Sequence, residues 1–243
     1  MEHEEYTAEN YPTFGKKYNG EKAIISLTSW KARINTVSKT LFSLLKQCPG
    51  FHIVLVLSEE EFPKKEAELP DNLMLFVEND LIEILWVYKN YKSFKKVLFT
   101  MDKYRDVPVI SADDDCIYTC NYAQELYDKW MTNKKAFVTI KSHLPFYKNK
   151  TCNGIGAASL HPPYCYKDYM PLLEFEKIIE ISHDDVFYMI IRNKLKIPQI
   201  ILPRKIKDTI KFVNETQPLH NSYKKVTNVL EIYEKAIFNF NGI

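Results

Sequence analysis

Three consecutive carboxylates, Asp113-Asp114-Asp115, directly follow the apolar run Val109-Ile110-Ser111-Ala112. Neighbouring acids repel one another unless a cation or cationic partners neutralise them. Their hard oxygens suit magnesium or manganese, which take one or two carboxylates and complete the shell with substrate phosphates. A strand that ends in acids also places them at the carboxyl edge of an α/β sheet, where such folds bind ligands. The chemistry so specified is the holding of a diphosphate and the offsetting of its charge as it departs. A solvated acidic turn capping the next helix is the other reading of the same residues.

A second acidic pair stands in Ser182-His183-Asp184-Asp185-Val186-Phe187. At the start of a helix the free backbone N–H groups stabilise acids, so capping accounts for Asp184 and Asp185. The functional reading is a general base that deprotonates an acceptor hydroxyl. Other phosphate-binding motifs are missing. No Walker-type Gly-Lys-Ser/Thr loop exists, and Gly154-Ile155-Gly156 is followed by Pro162-Pro163, which blocks the long helix a dinucleotide fingerprint must open. With six glycines in the chain, phosphate binding by metal and lysine is favoured over a glycine cradle.

These residues need a scaffold, and the apolar pattern supplies one. Ala23 to Leu27, Ile53 to Leu57, Ile82 to Val87, Val107 to Ile110 and Ala136 to Ile140 read as buried strands. Between them lie helical stripes: Val37, Leu41, Leu44 and Leu45, with Asn35 or Thr36 as cap and Pro49-Gly50 as stop; Phe94, Val97, Leu98 and Met101; and Tyr122, Ala123, Leu126, Tyr127 and Trp130, capped by Asn121. Ser58 followed by three glutamates reads as a further cap with acids in a first turn. Later helices are expected over Val186 to Lys196 and Ser222 to Phe240. Strands alternating with amphipathic helices specify an α/β fold with a largely parallel sheet.

Composition bounds the rest. The chain has 243 residues, 46% hydrophobic and 26% charged, with a net charge of +2, which suits a folded domain and not a polyanion binder. Five cysteines without paired metal-type spacing read as reduced thiols of a cytosolic protein. The acidic, polar Met1 to Asn10 is no secretory signal, and no apolar run reaches the roughly 20 residues needed to span a bilayer. Arg204, Lys205, Lys207 and Lys211, interspersed with Ile201, Leu202, Ile206 and Ile210, read as an edge strand or solvated loop, with an interfacial patch on an anionic membrane as the other reading.

The order of several segments resembles that of bacterial GT-A-fold glycosyltransferases, the small family-2-like enzymes of capsule and lipopolysaccharide gene clusters. The segments are Ile25-Ser26-Leu27-Thr28-Ser29-Trp30-Lys31-Ala32-Arg33-Ile34, Leu57 to Pro63, Lys95-Lys96, Asp113-Asp114-Asp115-Cys116-Ile117-Tyr118, Asn153-Gly154-Ile155-Gly156-Ala157, His161-Pro162-Pro163 and Asp184-Asp185-Val186-Phe187. The likeness covers about residues 23–200.

The resemblance implies one GT-A domain over 1–243, with a donor-binding half near 20–142 and an acceptor-binding half near 143–243. It implies that Thr28, Ser29 and Arg33 contact the nucleotide and that Lys95 or Lys96 meets the donor phosphates. The aspartates then resemble an Asp-x-Asp motif, with Asp113 nearer the nucleotide and Asp115 nearer a Mn2+ or Mg2+ ion; His220 is a further candidate metal ligand. Asn153, Gly154, Ile155 and Gly156 would line the acceptor side, and Asp185, or Asp184, would be the base. The implied activity is hexosyl transfer from a nucleotide sugar, UDP-linked, to a saccharide or lipid-linked acceptor. His161 stands where the family commonly has tyrosine, Phe187 where it has tryptophan. A sugar nucleotidyltransferase and a non-catalytic carbohydrate-binding protein are the competing readings. The implied location is cytoplasmic, with peripheral association at the inner face of the membrane as an extension.

Overall fold

In the computed structural model, residues 6–140, 157–203, 208–213 and 229–240 are described. Among them, eight strands form one sheet: β1 (Thr13–Gly15), β2 (Ala23–Thr28), β3 (Phe51–Ser58), β4 (Glu83–Val87), β5 (Val109–Ser111), β7 (Phe137–Ile140), β8 (Ser159–His161) and β9 (Gln199–Leu202). Their order is β1-β4-β3-β2-β5-β8-β7-β9. Strands β4, β3, β2 and β5 run parallel, as do β7 and β9, while β1 and β8 are antiparallel to their neighbours. A separate antiparallel ribbon pairs β6 (Cys116–Tyr118) with β10 (Ile210–Phe212).

Helices cover both faces, and the strands show why. Ala23, Ile25 and Leu27 of β2, with Ile53, Leu55 and Leu57 of β3, pack against α1 (Val37–Leu44), α2 (Asp71–Glu78) and α4 (Tyr122–Met131). The alternate residues Ile24, Val54 and Val56 face α3 (Lys95–Lys103), α5 (Glu176–Ile181), α6 (Asp184–Lys194) and α7 (Val229–Asn239). Side chains alternate across a strand, so a strand buried on both faces must be apolar at every position. The continuous runs read from the sequence are that pattern.

Local expectations needed correction in three places. Ser58 does not cap a helix: Glu59 and Glu60 donate their backbone N–H groups to Val87 and Tyr88 carbonyls, which extends the β3–β4 ladder and leaves a turn closed by a Ser58 Oγ bond to Glu61. Thr36 and Asn121 occupy N-cap positions without side-chain caps; the Thr36 hydroxyl donates to the Arg33 carbonyl and the Asn121 amide to Glu125. The apolar positions after Ile201 do not all share one surface, since Ile210 is buried while Ile201, Lys211 and Phe212 are exposed.

Candidate active site

Strands β3 and β4 lie on one side of β2 and β5 on the other, so the strand order reverses between β2 and β5. Open α/β sheets ordinarily bind ligands at the carboxyl ends of the strands beside such a reversal. Ser29 leaves β2 there and Asp113 leaves β5, with the Ala112 N–H continuing the ladder onto the Ser26 carbonyl at 2.8 Å.

The three aspartates take different places. Asp114 points inward, its side chain 2% exposed; it accepts the Ser29 hydroxyl at 2.6 Å and the Arg33 Nη2 at 2.8 Å, while Thr40 donates to its carbonyl. Asp115, 24% exposed, accepts Arg33 Nη1 at 2.7 Å, so one guanidinium straddles two neighbouring carboxylates. Asp113, 34% exposed, is paired with Lys96 at 2.6 Å. Burial pushes the Asp114 carboxyl up to about 7, against the lowering influence of Arg33 and Ser29 and with Asp115 and Asp113 adding repulsion.

Lys96 also reaches Asp184, the first residue of α6, at 3.4 Å, without hydrogen-bond alignment. Burial lowers its pKa, but Asp113, Asp184 and Asp185 outweigh that, and the ammonium is held well above its ordinary value. One lysine thus ties the acidic tip of β5 to the acidic start of α6. Lys95 points elsewhere, to Glu61 at 3.0 Å and Asn90 at 3.1 Å, and burial lowers its pKa despite those partners. Neither lysine is a solvated surface cation. Thr28 donates its hydroxyl to the Val56 carbonyl at 2.7 Å.

Sequence reasoning passed over the groups beneath this floor. Tyr118 accepts the Asp113 backbone N–H and donates to the Ala157 carbonyl, each at 2.8 Å, and so joins the acidic tip to the segment that leads into β8. Lys96, His161, Asp184, Asp185, Tyr188 and Arg192 are among the side chains lining a cavity of about 10 Å³, room for a single water. His161 shares a hydrogen bond with Tyr166 at 3.0 Å, and burial, with Arg192 and Lys96 nearby, depresses its pKa well below 6.5. The Arg192 guanidinium lies 3.7 Å from the Phe137 ring centre. Of this layer, Lys96, His161, Asp184 and Asp185 stood out in the sequence, whereas Tyr188 and Arg192 carried no signal. Asn153, Gly154, Ile155, Gly156 and His220 lie outside the described residues.

The donor set suits a hard divalent cation. Asp113 and Asp115 flank the buried Asp114 and both reach the surface, and Asp113 keeps Oδ2 without a hydrogen-bond partner among the described residues. Among the described residues no three His, Cys, Asp or Glu side chains converge as a cage. Two carboxylates completed by phosphate oxygens are what magnesium or manganese ordinarily accepts.

No protein-family profile and no curated protein sequence matches the chain. Solved structures do. Staphylococcus aureus TarS, residues 1–349 in complex with UDP-GlcNAc, superposes with a TM-score of 0.58 at 11% identity over 90% of this chain and 67% of that one. The mannosyltransferase PcManGT of Pyrobaculum calidifontis, in complex with GDP-Man and Mn2+, gives 0.50 at 12% identity over 80% and 58%. The chain has a GT-A-like, Rossmann-type fold. It spans 36% of a longer TarS structure, which superposes with a TM-score of 0.54.

Proposed function

We propose that this chain is a metal-dependent glycosyltransferase moving a hexose-type sugar from a nucleotide sugar, UDP-linked, to a saccharide or lipid-linked acceptor. The observation that carries the reading is the juxtaposition of two acidic centres across Lys96: the β5 tip at the sheet's strand-order reversal, and the start of α6. The shared fold of two proteins solved with nucleotide sugars, one of them with Mn2+, supports it.

In this reading Thr28, Ser29 and Arg33 frame the nucleotide, and Asp113 and Asp115 hold the cation. When bound, that Mn2+ or Mg2+ would neutralise charge on the departing diphosphate. Asp185 takes the acceptor hydroxyl proton, the acceptor oxygen bonds the anomeric carbon, and the nucleoside diphosphate leaves from the opposite face, which inverts the centre. Asp184 is tethered to Lys96 and orients the start of α6. The donor half near 20–142 carries the first centre and the acceptor half near 143–243 the second; Asn153, Gly154, Ile155 and Gly156 line the acceptor side, and His220 is a further metal ligand, both on the strength of the sequence resemblance. A cytoplasmic enzyme docked on the inner membrane face fits a lipid-linked acceptor. Among the described residues no helix is long and apolar enough to cross a membrane.

A panel of nucleotide sugars with Mn2+, scored for slow donor hydrolysis without acceptor and for transfer with candidate acceptors, tests the assignment. Asp185→Asn is expected to lower transfer at least 100-fold, roughly 3 kcal/mol of transition-state stabilisation, while UDP binding changes little. Near-normal turnover in that variant, or product of the donor's anomeric configuration, would remove Asp185 as base. Activity untouched by EDTA would remove the metal. Release of pyrophosphate would favour the nucleotidyltransferase reading; no reaction with any donor would favour a binding protein.

A further inference from the structure

Resting on the donor-site reading above, we infer that Arg33 is a built-in counter-cation, which admits a divalent metal to the β5 tip only together with a nucleoside diphosphate. Its side chain is buried, and the acids are what hold it: Nη2 on Asp114 at 2.8 Å, Nη1 on Asp115 at 2.7 Å, and a buried Nε with no hydrogen-bond partner among the described residues. The two contacts are unequal. Asp114 is buried and has Ser29 as a second partner, so that contact anchors the guanidinium. Asp115 reaches the surface with Oδ2 on Arg33 and Oδ1 accepting the Cys116 thiol at 3.5 Å, so a metal there would compete with the guanidinium for the same carboxylate.

Lys96 does the same to Asp113, taking Oδ1. Three carboxylates therefore face two fixed cations, and because burial favours the protonated form of Asp114, the tip carries at most one net negative charge. A dication arriving alone would meet that single charge and lie beside a guanidinium and an ammonium. A diphosphate changes both sides of the balance. Its oxygens complete the metal's shell, and they offer the planar guanidinium fork a bidentate partner in place of Asp115. Arg33 then passes from carboxylate to phosphate while its bond to Asp114 stays.

The test titrates Mn2+ into the full chain, with and without UDP, and follows free Mn2+ by electron paramagnetic resonance. Arg33→Met removes the counter-cation. The double variant Arg33→Met/Asp114→Asn removes one cation and one acid together, leaves no buried acid unpaired, and frees Asp115. Wild type is expected to bind Mn2+ at least tenfold more tightly with UDP than without. Without nucleotide, the double variant is expected to bind it at least tenfold more tightly than wild type, and the UDP enhancement to fall below threefold. Circular dichroism checks that the variants fold; if Arg33→Met does not, the double variant decides. Equal nucleotide-free affinity in wild type and double variant overturns the gate, and so does tight Mn2+ binding to wild type alone. Mn2+ uptake by no protein, with or without UDP, overturns the donor-site reading and the gate with it.

Discussion

His161 sits in the sheet's central layer with its ring against Phe137, Tyr166 and Tyr188, and it is buried. Burial and the neighbouring cations keep it neutral in the folded chain well below pH 6.5, whereas the unfolded chain protonates it near that value. The unfolded state therefore binds more protons once pH drops below 6.5, and stability falls, at up to about 1.4 kcal/mol per pH unit for one group. Asp114, pushed up to about 7, acts with the opposite sign: the folded state holds its proton more tightly, adding stability as pH falls from 7 towards 4. Comparing His161→Gln with wild type at each pH cancels the Asp114 contribution. The variant is expected to be weaker at pH 8, by about 1–3 kcal/mol for lost packing and one hydrogen bond, but to fall less steeply between pH 6.5 and 5. Urea unfolding across that range measures it; parallel profiles would show that His161 is not the group responsible.

Helix α6 carries the second acidic centre and is bracketed by two residues in the left-handed region, Ser182 at φ 52° before it and Lys196 at φ 54° after it. Ser182 has a local reason, since its hydroxyl and carbonyl both lie in hydrogen-bond reach of Ser93 on the segment leading to α3. Lys196 is exposed and has only the backbone turn to satisfy. A glycine there removes the Cβ conflict, so Lys196→Gly is expected to stabilise the protein by about 0.5–1 kcal/mol. Thermal unfolding should show a higher midpoint, and a lower one would mean that the side chain contributes more than its backbone costs. At this scale the sequence was legible where an element is long and apolar on a regular period, as in β2, β3, β4, α1 and α4. It was not legible for β6 and β8, three residues each, whose existence and direction are set by their partners β10, β5 and β7 and not by local pattern. α2 escaped notice although it has the same eight residues as α1, because its apolar residues Leu73-Met74-Leu75-Phe76 run consecutively and only Leu73 and Val77 are buried, so no single helical stripe marks it. The two lysines of α3 show the same limit inside the site. Placing Phe94, Val97 and Leu98 inward put Lys95 and Lys96 outward, yet every residue from Lys95 to Met101 is buried because the sheet covers one side of α3 and later helices the other.

The molecule as a whole does not divide near residue 142, the border proposed between a donor-binding and an acceptor-binding half. Strand β7 precedes that border, yet its partners β8 and β9 come from beyond it. The core on the α3 face joins Ile24, Val54 and Val56 to Phe187, Tyr233 and Ile237. A fragment of residues 1–142 would leave that face uncovered, losing several large apolar contacts each worth about 2–5 kcal/mol, against a total stability of only about 5–15 kcal/mol. Such a fragment is expected to lack near-ultraviolet circular dichroism and to bind a hydrophobic dye, while the full chain unfolds in one transition. A fragment with dispersed amide resonances would show instead that the first half is a folding unit of its own.

The ribbon of β6 and β10 carries a consequence for synthesis. Val213 bonds the carbonyl of Asp115 at 2.8 Å and Thr119 bonds that of Thr209 at 3.0 Å, so the backbone around the acidic tip is fastened by a segment translated much later. Roughly ninety residues separate the two strands, which at about 5–20 residues per second is a wait of several seconds on the ribosome. Through that interval Arg33, already translated along with Ser29, Thr40 and Lys96, is available to hold Asp114 and Asp115 together. The guanidinium that guards the finished site would thus also serve as its scaffold while the nascent chain is still emerging.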